Sequence, residues 1–85
     1  MDISRHEQRV LHALAQGGEI RPVKCPRGRI RAVQCLSRDG WLMPGVDLEL
    51  FRRLKRRRAI RSEDGRPYRI TRRGLELVRS QADNR

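Results

Sequence analysis

The residues of this chain best equipped for chemistry are its cations, and the densest run is Arg52-Arg53-Leu54-Lys55-Arg56-Arg57-Arg58. Six cations in seven residues exceed what a helix C-terminus needs to complement its dipole. Their mutual repulsion is relieved by an anion. The chemistry open to them is recognition of a polyanion or an acidic protein surface, and charge alone does not separate the two. Other chemistries find little support. His6 and His12 are six residues apart and fall on different helix faces, and Cys25 and Cys35 form no C-x₂-C knuckle, so neither a metal nor a cofactor is expected. Glu7, Asp47 and Asp64 have local tasks in caps and a turn. No Ser or Cys has a nucleophile-elbow or phosphate-loop setting. Neither catalysis nor a small-molecule substrate is expected.

The elements that must position these cations belong to one small domain spanning residues 1–85, with a net charge of +11. A chain this short buries only roughly 60–65% of its unfolded surface. With 36% apolar residues it still makes one core. The charge exceeds what solubility needs and predicts an anionic partner whose attraction weakens with salt. Apolar runs such as Trp41-Leu42-Met43 fall far short of the ~20 residues of a spanning helix, so the expected location is the cytoplasm, away from membranes.

Ser4-Arg5-His6-Glu7 reads as a capping box opening a first helix that runs to Gln16 and stops at Gly17-Gly18. Ile3, Glu7, Val10, Leu11 and Leu14 share one side of it; Arg5, Arg9, His12 and Gln16 share the other. Ile20–Cys25 and Arg29–Leu36 read as a β-hairpin carrying Arg21, Lys24, Arg27, Arg29 and Arg31. If Cys25 pairs with Arg29 across the turn, Cys35 falls opposite Glu19, too far along the ladder for a disulfide. Trp41–Val46 is broken by Pro44-Gly45, and Trp41 is either core filler or an exposed anchor for a partner. Asp47 caps a second helix, Leu48–Arg58, with Leu50, Phe51, Leu54 and the stem of Arg58 on its inner face. Ala59–Ser62 and Pro67–Ile70 read as two short strands about the turn Glu63-Asp64-Gly65-Arg66. Tyr68 belongs to core or rim packing. Arg66 is either a backbone contact from a wing tip or part of an ordinary turn. Thr71 opens a last helix, Arg72–Ala82, burying Leu75, Val78 and Ala82. Gly74, costly inside a helix, implies close approach to a neighbouring backbone.

The expected fold is therefore a small α+β, winged-helix-like domain with three helices. It has a basic hairpin after the first helix and a wing hairpin before the last. The candidate binding residues are Arg52, Arg53, Lys55, Arg56 and Arg57 on the second helix, Arg29 and Arg31 on the hairpin, Arg66 on the wing, and Trp41 as anchor.

The spacing of residues along the whole chain resembles the YjhX family of small bacterial toxins. The matching positions are Ser4-Arg5, Glu7-Gln8, Leu11-His12, Leu14-Ala15, Gly17 and Ile20, then Gly28-Arg29, Val33, Cys35, Ser37-Arg38 and Gly40. They continue through Phe51, Leu54-Lys55, Ile60, Ser62, Gly65, Pro67-Tyr68-Arg69-Ile70, Val78-Arg79 and Gln81 to the terminal Asp83-Asn84-Arg85. The resemblance implies the toxin of a toxin–antitoxin pair that binds bacterial DNA topoisomerase I and hinders its DNA binding. It also implies a neighbouring acetyltransferase-like antitoxin that neutralises it. Departures from the family pattern are mostly extra arginines, in the hairpin and in Arg52–Arg58, which point toward DNA. The residues themselves leave a second class of function open, a winged-helix transcriptional regulator binding DNA through helix 48–58.

Overall fold

The first helix, α1 (Arg5–Ala15), starts where the sequence caps it. The Ser4 hydroxyl accepts the Glu7 N–H at 3.0 Å, and Glu7 Oε1 accepts the Ser4 N–H at 3.3 Å. The computed structural model describes residues 3–83, with side chains as far as residue 79. α1 ends in a Schellman motif: Gly18 N–H bonds Ala13 O and Gly17 N–H bonds Leu14 O, both at 3.1 Å. Gly17 is left-handed there, with φ 108°. Ile3, Glu7, Val10, Leu11 and Leu14 are buried, as the spacing predicts.

Strands β1 (Glu19–Lys24) and β2 (Ile30–Leu36) form the expected antiparallel hairpin, but not in the expected register. The Cys25 N–H does bond Arg29 O at 2.8 Å. Beyond the turn, Lys24 pairs with Ile30 and Val23 with Ala32, so Arg31 is an extra residue, a bulge. Cys35 therefore lies opposite Ile20, not opposite Glu19. The slip puts Ile20 and Cys35 on one face, where both are fully buried. Both cysteines are free thiols. Cys35 points at Met43 Sδ, 3.9 Å away, and burial pushes its thiol up to about 11. The stretch after the hairpin, where no element is predicted, holds a two-residue strand, β3 (Leu42–Met43), that completes a β1-β2-β3 sheet.

Helix α2 (Leu48–Arg56) is capped by Asp47, whose Oδ1 accepts the Leu50 N–H at 2.9 Å. Leu50, Phe51 and Leu54 are buried. The helix stops two residues short of the expected Arg58. Ala59 N–H bonds Leu54 O at 3.0 Å and Arg58 N–H bonds Lys55 O at 2.9 Å, a second Schellman motif with Arg58 left-handed at φ 58°. The Arg58 stem is thereby thrown outward, while Ala59 turns into the core, fully buried.

Two further strands come next, β4 (Ile60–Arg61) and β5 (Arg69–Ile70), shorter than the predicted Ala59–Ser62 and Pro67–Ile70. Their turn runs through left-handed Asp64 and Gly65. Tyr68 exchanges two backbone hydrogen bonds with Ile20, at 2.9 and 2.7 Å, which joins the β4–β5 segment to the edge of β1. Thr71 then caps the last helix, α3 (Arg72–Asp83), by accepting the Gly74 N–H at 3.1 Å. Its hydroxyl donates to Arg58 O at 2.6 Å. The elements share one core cluster drawn from α1, the sheet, α2, Ala59-Ile60 and Leu77. The fold is thus a small α+β arrangement of three helices and antiparallel sheets among the described residues.

The inner face of α3 differs from the prediction. Leu77 is buried and Val78 is partly buried, but Leu75 is 41% exposed. Ala82 lies outside the residues whose side chains are described. Gly74 sets this rotation. A Cβ there would stand 2.5 Å from Ala59 O and 2.6 Å from Ile70 Cγ1, so the helix backbone itself is the contact. With Gly74 inward, Leu77 and Val78 lie three and four residues on along the same face, and Leu75 is carried out. Helix propensity alone makes Gly74→Ala stabilising by up to about 1 kcal/mol. The close approach reverses the sign: we expect a net loss of about 1–2 kcal/mol from overpacking, read as a lower urea midpoint. A midpoint that rises would refute this packing.

Candidate polyanion-binding surface

Three apolar residues hold α2 to the core, and the remaining positions of the helix must face outward or sideways. Arg52, Lys55 and Arg56 are exposed and Arg53 is half-buried. Arg53 Nε is buried without a partner among the described residues. Lys55 Nζ stands 5.5 Å from the Phe51 ring centre and 5.6 Å from that of Tyr68. Those two rings meet edge-to-face at 4.9 Å. The ammonium therefore has a cation–π seat over the rim of the core, and Tyr68 packs as predicted.

Arg57 points the other way. Its Nε donates to Glu7 Oε2 at 3.0 Å, spanning 50 residues of chain. Glu7 is the one buried charged side chain among the described residues, at 2% exposure. Burial alone would raise its carboxyl. Hydrogen bonds from Ser4 and the Arg57 guanidinium overcome that and hold it below its ordinary value of 4.5. Arg57 is therefore first of all a tie between α1 and the end of α2.

The remaining candidates are dispersed. Arg29 and Arg31 are exposed near the turn of the β1–β2 hairpin, Arg31 at the bulge. Arg66 is exposed on the β4–β5 turn. Trp41 is 75% exposed and the adjacent Leu42 60% exposed, so Trp41 is not core filler. The Trp41 N–H and carbonyl are fixed by Ser37, at 3.1 and 2.8 Å. Among the described residues no three His, Cys, Asp or Glu side chains gather in a metal-ligand group, and no helix is long and apolar enough to cross a membrane.

Sequence reasoning missed one assembly. Arg56, Arg57 and Arg58 meet Arg73 of α3 around a cleft of ≈ 430 Å³. Arg61, Arg66, Arg69 and Arg72 line a second cleft of ≈ 380 Å³ with Glu63, Pro67, Ile70 and Thr71, and it too reaches the α3 start. Glu63 pairs with Arg61 at 3.1 Å and Glu19 with Arg69 at 3.5 Å. One signal was available. Arg72 and Arg73 open a helix whose first turn has no acidic residue. Cations at the positive end of a helix dipole cost about 0.3–1 kcal/mol each. Arg58 adds a left-handed backbone that costs a non-glycine residue roughly 1–2 kcal/mol.

The comparisons say which class this arginine-rich α+β chain falls in. A family profile described as "Putative toxin of bacterial toxin-antitoxin pair" matches residues 1–85. The chain belongs to this family, the YjhX toxins, and membership implies an antitoxin partner. Among curated relatives it is 65% identical over 85 residues to a UPF0386 protein of Rhizobium etli and 67% identical over 85 residues to one of Sinorhizobium fredii, each match covering 100% of both chains. It is 64% identical over 84 residues to one of Hyphomonas neptunium, covering 99% of both. No solved structure matches the chain.

The Glu7–Arg57 tie makes a pH-dependent prediction. A carboxyl held low in the folded state adds stability that is fully present above its ordinary value and is lost as pH falls through the folded one. Glu7→Gln keeps the cap geometry but leaves Arg57 facing an uncharged group. Near neutral pH it should cost about 2–3 kcal/mol, below the full cost of breaking a buried pair because solvent still reaches Arg57. At an acidic pH, below the carboxyl's lowered value, the gap between parent and variant should shrink, because the parent carboxyl takes up its proton there. Urea unfolding at both pH values measures this; a pH-independent gap would contradict the ion pair.

Proposed function

We propose that this toxin-family chain acts without catalysis, by binding bacterial DNA topoisomerase I in the cytoplasm and hindering its engagement with DNA, and that its antitoxin neutralises it. The observation that carries the reading is the outward-facing charge. Arg52 and Arg56 on α2, Arg29 and Arg31 on the β1–β2 hairpin, and Arg66 on the β4–β5 turn are all exposed. None of the ion pairs found among the described residues involves them. Such charges speed and orient docking on an acidic or DNA-occupied surface. The exposed Trp41–Leu42 step supplies an apolar anchor of the kind that dominates interface energetics. The choice of topoisomerase I rests on the family resemblance, and the charge and anchor are what this chain offers toward it.

The element order α2–β4–turn–β5–α3 favours a second reading, a winged-helix DNA-binding regulator that uses the exposed arginines of α2.

Relaxation of supercoiled plasmid by purified topoisomerase I, titrated with this protein, tests the first reading. Inhibition is expected near stoichiometric ratios. Trp41→Ala should raise the half-inhibitory concentration about tenfold, equivalent to about 1.4 kcal/mol of lost binding. A folded protein that leaves relaxation untouched at large molar excess would reject the reading.

A further inference from the structure

We infer that the cleft between the end of α2 and the start of α3 is a seat for the phosphates of a nucleic-acid backbone, gripped by Arg56, Arg58 and Arg73. The inference rests on the DNA-binding reading only in its choice of partner. It moves the contact from the outer face of α2 to the α2–α3 junction.

Four arginines line this cleft, and no other residue type does. Arg57 is held there by Glu7. Arg56, Arg58 and Arg73 have no ion pair or side-chain hydrogen bond among the described residues. Guanidinium forks match phosphate oxygens bidentately, and an uncompensated set of them is stabilised by any dense anion. The cleft has no apolar anchor, which a protein partner would use; the exposed Trp41–Leu42 step is on another element. Phosphate is what remains.

The second, Arg66- and Arg72-lined cleft makes the partner linear. Arg72 and Arg73 are consecutive residues, so both clefts touch the same helix start. Two adjoining hollows that carry the unpaired Arg66, Arg72 and Arg73 at one helix start, with Glu63 in the second, suit a chain of phosphates better than one small anion.

The backbone of this region fits the same reading. Arg58 occupies a left-handed position that glycine would fill without strain, and Arg73 sits at the positive end of the α3 dipole. A purely structural role predicts neither residue. Removing both charges should therefore weaken binding without weakening the fold.

The test is the binding of a short labelled DNA duplex across a salt series, read by fluorescence anisotropy, for the parent, Arg58→Gly/Arg73→Gln, and Arg5→Gln/Arg9→Gln. The last pair removes the same charge from the exposed face of α1. For the junction variant the slope of log affinity against log salt should flatten by about 1.8, two phosphates' worth, with a melting temperature at or above the parent's. For the α1 variant the slope should stay near the parent's. Equal flattening in both variants overturns the inference in favour of diffuse attraction. A parent that binds DNA with a slope the junction variant does not change overturns the inference and leaves the outer face of α2 as the contact. A parent that binds no DNA at low salt, or binds only inorganic pyrophosphate, overturns the inference and the DNA-binding reading together. The topoisomerase reading is decided separately by plasmid relaxation.

Discussion

Glu7 is where the fold and the surface charge meet. One oxygen of its carboxylate accepts the Ser4 N–H and so starts α1; the other accepts Arg57 Nε and so fixes the end of α2. The carboxylate is almost wholly buried, and leaving either charge alone there would be costly. The course of the chain after α2 depends on this anchor. With Arg57 turned inward, the chain reverses at Arg58 and Ala59 enters the core. The Ala59 carbonyl then becomes the surface against which Gly74 packs, and the Thr71 hydroxyl bonds the carbonyl of Arg58. One buried ion pair thus sets the α2–α3 junction on which the arginines gather.

Local chemistry was legible in the sequence. The capping box at Ser4 and Glu7, the Asp47 cap, the Thr71 helix start and the need for backbone contact at Gly74 each depend on a few neighbouring residues. Each has a physical signature that survives tertiary context. What was not legible depends on contacts distant in sequence. The bulge at Arg31 has no local marker; it arises because Ile20 and Cys35 must reach the same buried face. The inner face of α3 was misjudged because apolar spacing favours Leu75, whereas Gly74 against Ala59 fixes the rotation. The exposure of Trp41 depends on β3, a strand too short to show a period.

The same division applies to the candidate site. The run Arg52–Arg58 announced a binding surface, but its spacing could not reveal that Arg57 is held by a carboxylate 50 residues earlier. Nor could it reveal that Arg58 leaves the helix to join Arg73. Arg72 and Arg73 open a helix from the wrong end of its dipole, and that local anomaly was the one hint of the junction. For a member of a toxin family, residues that work against their own helix ends point to a partner outside the chain.

Most arginines with described side chains form no ion pair, so their mutual repulsion works against the folded state. Thermal unfolding of the free protein as sodium chloride is raised from about 20 to about 200 mM tests it most directly, because salt over this range screens exposed charges. Self-repulsion among unpaired guanidinium groups predicts a melting temperature that climbs with salt. A melting temperature that falls would mean that internal ion pairing dominates, and would contradict the account.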